Sequence, residues 1–106
     1  MIADPAPLVI ALVERRQAGE PIAALARAFH VALAELALAW AERTGLRTVA
    51  LTGGCFQNAL LVELTSARLT AAGFEVVTHR HVPPNDGGVS LGQALAAALT
   101  LQPPPL

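Results

Sequence analysis

Residues 47–79, RTVALTGGCFQNALLVELTSARLTAAGFEVVTH, decide the fold. Arg47 to Leu51 is a short apolar run, continuous rather than alternating, as expected of a strand buried on both faces. Thr52-Gly53-Gly54 interrupts it, and residues 58–72 then carry a helical pattern. Leu60, Leu61, Leu64 and Ala71 form the apolar side of that helix, while Glu63, Ser66 and Thr70 face away. Gly73 stops it, and Phe74 to His79 reads as a second strand. Two strands flanking one helix predict a parallel βαβ unit with a right-handed crossover.

Two helices precede this unit. Asp4-Pro5 opens the first as a capped start, and Leu8, Val9, Leu12 and Val13 give it one apolar face. Ala18-Gly19-Glu20-Pro21 breaks the chain. The second helix runs from about Pro21 to Arg43 and is closed by Thr44-Gly45. Ile22, Leu25, Phe29, Leu33, Leu36 and Trp40 recur at spacings of 3, 4, 4, 3 and 4, a 3.6 period that marks the face to be buried. Its other face mixes Arg27, Glu35 and Glu42 with Val31 and Leu38. After the second strand, Pro83-Pro84 forces an extended link. Asn85-Asp86-Gly87-Gly88 opens a last helix over about residues 88–100, and Gln102-Pro103-Pro104-Pro105-Leu106 cannot be helical. The order is ααβαβα. Two strands are too few for a freestanding parallel sheet, so further strands are expected beside these two.

The 106 residues suffice for one modest domain, yet 54% are hydrophobic and mean hydropathy is +0.52. So apolar a surface on so small a body expects a partner or a missing piece of its own chain. No apolar run reaches membrane-spanning length without a charge, Pro or Gly, and Met1 to Leu12 lacks a basic start followed by an apolar core. Net charge is −1, there is no lysine, and the seven arginines are scattered, which argues against a phosphate-tracking surface. Phe29, Trp40, Phe56 and Phe74 are too few for a base-stacking platform. Neither nucleic acid nor membrane is therefore expected as a partner. The single cysteine, Cys55, fits a reducing, cytoplasmic compartment.

Ligands of open parallel sheets bind beyond the carboxyl ends of the strands. Gly53-Gly54 leaves the first strand at that edge, and the Pro pair can carry Gly87-Gly88 back to it. Backbone N–H groups there can meet phosphate, or the glycines can simply turn the chain into helices. Neither stretch fits the P-loop or the G-x-G-x-x-G fingerprint. Asp86 suits a metal ligand or a helix-start cap, and Asn58 a cap or a ligand contact. His79 and His81 share a face if both lie on the strand, but no third zinc ligand is near, and they read as strand-end histidines. His30 reads as a hydrogen-bonded, partly buried histidine. Cys55 has no adjacent base and reads as a small packing residue. Arg68, among apolar neighbours, lays its stem over them or pairs with an acid.

The stretches ALTGGCFQNALL (50–61) and GFEVVTHRHVPPNDGGVSLGQALAAA (73–98) closely resemble the C-terminal end of hydrogenase-maturation carbamoyltransferases of the HypF type. ARAFHVALAELALAWA (26–41) resembles the helix preceding that region. The similarity spans about residues 8–100, and PPNDGGVSLGQ is its most specific motif.

The resemblance implies part of a much longer enzyme, ending in a TsaD-like domain of actin/Hsp70-like, two-lobed ATPase fold. Residues 1–102 would belong to the second lobe and 103–106 would be a Pro-rich tail. Such enzymes use carbamoyl phosphate and ATP to make a carbamoyl-adenylate, then carbamoylate the C-terminal cysteine of a partner maturation protein. That group becomes a cyanide ligand of the nickel–iron hydrogenase centre. By resemblance, Gly53, Gly54, Asn58 and Gly87 would contact the ATP-derived nucleotide. Asp86 would be the second-lobe ligand of a divalent metal, whose histidine ligands belong to a first lobe that this sequence lacks. Cys55 stands where the family usually has an aliphatic residue, and Ala59 where a larger, often basic one is common. The chain alone is expected to be inactive, as half a site completed by the rest of the enzyme. The alternatives are a lobe acting only by protein docking and a small βαβ domain without a ligand.

Overall fold

In a computed structural model that describes residues 2–101, the chain forms the expected ααβαβα order. The elements are α1 (Ala6–Gln17), α2 (Ile22–Thr44), β1 (Thr48–Leu51), α3 (Ala59–Ala71), β2 (Glu75–Thr78) and α4 (Val89–Leu101). Short 3-10 turns, Gly54–Gln57 and Asp86–Gly88, precede α3 and α4. The Pro-rich tail lies outside the described residues.

Local chemistry explains the boundaries. The Asp4 carboxylate accepts the Ala6 N–H at 2.9 Å, so the opening of α1 is capped as its sequence suggests. Gly45 ends α2 in the left-handed region at φ 70°, and the Thr44 hydroxyl donates to the Ala41 carbonyl and accepts the Leu46 N–H. The Asn58 amide oxygen accepts the Leu61 N–H at 3.1 Å and caps α3.

β1 and β2 pair in parallel, Thr48 beside Glu75 and Leu51 beside Thr78. Leu38 and Ala41 of α2, Leu51 of β1 and Leu69 of α3 form one core, joined by Val49, Phe56, Phe74 and Val76. Burial along β1 alternates: Leu51 is buried and Val49 half-buried, while Thr48 and Ala50 are exposed. The strand thus has one covered face within this chain, not two. Val77, on β2, is likewise exposed.

The buried side of α2 also differs from the periodic stripe. Leu25 is the buried member of that stripe, whereas Ile22, Phe29, Leu36 and Trp40 are exposed. Burial falls instead on Ala34, Leu38 and Ala41, at spacings of 4 and 3, where small side chains let α3 approach. On α3 the buried residues are Leu61, Thr65 and Leu69, again spaced 4 apart. Ala71, read from the pattern as apolar-side, is exposed. Glu35 and Arg68 clamp the α2–α3 pair with a two-point ion pair. The Arg68 hydrogen bonds hold the Glu35 carboxyl below the usual carboxylate range.

α1 and α4 contain no buried residue. The radius of gyration is 18.2 Å, against about 13 Å for a compact chain of this length. α2, at 23 residues, is long and apolar enough by length and composition to cross a membrane. Its Ala34–Leu38–Ala41 face and the Glu35–Arg68 pair are nonetheless committed to α3.

Three consequences are measurable by urea denaturation. Leu69, fully buried, should cost about 2–5 kcal/mol when cut to alanine. Thr65→Val should stabilise by about 1 kcal/mol, because the buried Thr65 hydroxyl has no hydrogen-bond partner among the described residues. The Glu35 carboxyl, depressed in the folded state, adds stability above its unfolded pKa that is lost as pH falls through the folded value. Acidification should therefore lower the parent's urea midpoint more than that of Arg68→Met, and identical pH profiles would refute the coupling.

Candidate functional site

The carboxyl edge of the sheet gathers the two glycine-rich turns. β1 delivers Thr52, Gly53 and Gly54; β2 delivers His79 and then the Pro83-Pro84 link. The Gly53 N–H donates to the Pro84 carbonyl at 2.8 Å, tying one turn to the segment that leads into the other. His79 Nε2 lies 2.8 Å from the Thr52 hydroxyl oxygen and ties the strand ends. A cavity of about 170 Å3 opens here, lined by Leu51, Phe56, Val62, Thr78, His79 and Pro84.

Each turn is built differently. Gly53 has φ 97° and ψ 162°, a conformation nearly closed to other residues, and a Cβ there or at Gly54 would meet nothing within 4 Å. Gly53 sets the backbone shape, and both glycines leave open space beside the edge. Gly88 is a close approach: a Cβ would lie 2.8 Å from Val82 Cγ1 and 2.9 Å from the Pro83 carbonyl oxygen. At Gly87 it would meet Asn85 Oδ1 at 3.0 Å.

The cap reading of Asp86 falls to its neighbour. Asn85 caps the turn, its Oδ1 accepting the Gly87 N–H at 3.0 Å. Asp86 is exposed and takes no hydrogen bond from a described residue, so its carboxylate is free. A free hard oxygen donor suits a divalent cation. No group of three His, Cys, Asp or Glu residues is placed to hold a metal among the described residues.

Asn58 does cap α3, and its Nδ2 also reaches His30 Nε2 at 2.8 Å. His30 is half-buried and hydrogen-bonded, as read from the sequence. Cys55 is exposed, which corrects its reading as a packing residue; Phe56 packs on the core instead. His79 and His81 follow β2 rather than lying on it. Phe56 and His30 add to this edge beyond the site residues singled out from the sequence, and the apolar character of Phe56 is the signal that marks it. A larger apolar groove of about 380 Å3 lies between α1 and α2, bordered by Pro5, Leu8, Phe29 and Leu36, on elements other than the sheet edge.

Gly88→Ala should lower stability by about 1–3 kcal/mol, since Pro83 backbone stands in the way. Gly54→Ala should leave the urea midpoint almost unchanged, as its surroundings are open. Equal losses at the two positions would contradict this division.

Comparison with known proteins agrees in sequence and in fold. The family described as "Carbamoyltransferase, Kae1-like Domain, second subdomain" matches residues 1–93. The chain is similar to a Carbamoyltransferase HypF homolog of Cupriavidus necator, 45% identical over 94 residues, covering 85% of this chain and 24% of that protein. It is 44% identical over 103 residues to Carbamoyltransferase HypF of Rhodobacter capsulatus, covering 93% of this chain and 13% of that one. A crystal structure of full-length HypF in the phosphate- and nucleotide-bound form aligns with a TM-score of 0.77 and 35% identity, over 95% of this chain and 14% of that chain. This chain therefore spans a quarter or less of the length of these relatives.

Proposed function

The chain belongs to the HypF carbamoyltransferase family, and from that membership we propose that it supplies one wall of a nucleotide and metal site in a cytoplasmic carbamoyltransferase. Residues 1–102 are the C-terminal part of the TsaD-like domain, within the second lobe of an actin/Hsp70-like fold, and the remainder of the enzyme completes the site. The complete enzyme uses carbamoyl phosphate and ATP to form a carbamoyl-adenylate, then carbamoylates the C-terminal cysteine of a maturation partner in hydrogenase cyanide-ligand synthesis. The observation that carries this is the joining of the two glycine turns at one sheet edge through Gly53 and Pro84. A nucleotide- and phosphate-bound relative of the same fold supports it.

The roles come from the family resemblance, and the local geometry supports them. The Gly53 N–H is engaged by Pro84, so Gly53 contributes shape while the Gly54 amide, which donates to no described residue, faces the nucleotide. Gly87 keeps the second turn narrow beside Asn85. Asn58 offers its amide at the start of α3. The Asp86 carboxylate would hold the divalent metal together with ligands from the rest of the enzyme. When bound, that metal neutralises phosphate charge and polarises a phosphoryl or carbamoyl oxygen. Rigid backbone donors at the edge orient the phosphates without reorganising during the reaction.

A second reading, a lobe that acts by docking alone, is favoured by the exposed leucines of α4, Leu91, Leu95 and Leu99. One experiment separates the two. This chain should replace the matching segment of the Rhodobacter capsulatus relative and support carbamoylation of the maturation partner's C-terminal cysteine from ATP and carbamoyl phosphate. Asp86→Ala in that chimera should lower the rate more than about 100-fold, beyond the usual cost of losing an outer-shell partner. The 106-residue chain alone should show no turnover. An undiminished Asp86→Ala rate would favour docking alone, and turnover by the isolated chain would overturn the half-site.

A further inference from the structure

His30 sits on α2, outside both glycine turns, yet its ring touches the residue that opens α3. His30 Nδ1 lies 2.7 Å from the Ala26 carbonyl oxygen, and its Nε2 lies 2.8 Å from Asn58 Nδ2. These contacts fix the proton positions. A carbonyl oxygen only accepts, so Nδ1 carries the hydrogen and donates it to Ala26. In the neutral ring Nε2 is then a bare acceptor. The Asn58 side chain agrees independently: its Oδ1 accepts the Leu61 N–H at 3.1 Å, which leaves Nδ2 as the donor towards His30. Rotating that amide by half a turn would set an oxygen against the acceptor Nε2 and an NH2 group against the Leu61 N–H. Both contacts would become repulsive, so one orientation of Asn58 is selected from two sides.

We propose that His30 is a positioning residue for the nucleotide site, locking the Asn58 amide so that its second Nδ2 hydrogen is presented in a single orientation. This rests on the reading of Asn58 as a nucleotide contact given above. The relay runs from the Ala26 carbonyl through the imidazole to the amide, and it links the long helix α2 to the start of α3. Asparagine amides flip at little cost when their partners are ambiguous; here each partner accepts one orientation and rejects the other. His30 needs no contact with the ligand to act, because it adds its own penalty to that of the Leu61 N–H against the alternative amide state, which a ligand then has less need to exclude.

The test uses the 106-residue chain labelled with 15N, magnesium-ATP as the probe, and four proteins: parent, His30→Phe, His30→Gln and Asn58→Ala. In the parent, one Asn58 side-chain N–H should be shifted and protected from exchange by its bond to the imidazole. His30→Phe keeps a ring of similar size without the acceptor; it should abolish that signature and weaken ATP binding about five- to tenfold, the usual worth of one hydrogen bond. His30→Gln offers a carbonyl acceptor and should restore part of both. A His30→Phe protein with an unaltered Asn58 resonance would overturn the positioning role. A changed resonance with unchanged ATP affinity would overturn its link to the nucleotide. If Asn58→Ala binds ATP as the parent does, the nucleotide role of Asn58 fails, while the resonance of the His30→Phe protein still decides whether His30 orients the amide.

Discussion

Close contact between α2 and α3 is the constraint from which the sheet edge is positioned. Ala34, Leu38 and Ala41 bring the two helices together; Leu38 and Ala41 meet Leu69 and Leu51 in one core. Small side chains at a helix crossing permit a short interaxial distance, and the Glu35–Arg68 pair fixes rotation about it. Once α3 is held, its first turn is held too, and with it Asn58 and the 3-10 turn that carries Gly54 to Gln57. The same core holds β1 through Leu51 and β2 through Val76, so both strand ends arrive at one edge in fixed register. The edge then needs only short-range ties, Gly53 to Pro84 and Thr52 to His79.

Much of this was legible in the sequence, because local signals and topology agree. Glycines at 45 and 73, the Asn58 cap and the Pro83-Pro84 link each mark a boundary that the fold uses. The parallel pair followed from two short apolar runs flanking one helix. Burial was less legible, for a physical reason. α2 is apolar on more than one side, and periodicity reports apolarity without naming which side this chain can cover. The bulky stripe containing Phe29, Leu36 and Trp40 looked like the core; the small stripe became the core because α3 can approach it closely. β1 likewise has the residue types of a doubly buried strand, but only the face bearing Val49 and Leu51 is covered.

At the site, sequence pattern separated roles poorly between adjacent residues. Asn85 and Asp86 both suit a turn start, and it is the folded turn that gives the Gly87 N–H to the Asn85 amide oxygen and leaves Asp86 without a partner among the described residues. Cys55 and Phe56 are both candidates for packing, and the turn geometry assigns it to Phe56. The His30–Asn58 contact joins residues 28 positions apart and has no local signature at all. Contacts of this kind depend on the helix crossing, so they become visible only after the crossing is known.

The same asymmetry explains why so apolar a chain keeps so much of its apolar surface exposed. Val77 and Ala50 lie on the uncovered sheet face, and α4 carries Leu91, Leu95, Leu99 and Leu101 without a single charged residue. A helix polar on one side can stand alone against solvent; one without charge expects cover on most of its surface. The chain spans only a quarter or less of its relatives, so a longer body is available in the family to supply that cover. Covering would also change the site. Apolar contact around a glycine-lined edge excludes water, and backbone donors gain strength toward anions as the local dielectric falls. On the proposed function, cover for the exposed helices and closure of the half-site would be one physical requirement: a body that buries α4 and the open sheet face would also dry the edge that carries Gly54 and Asp86.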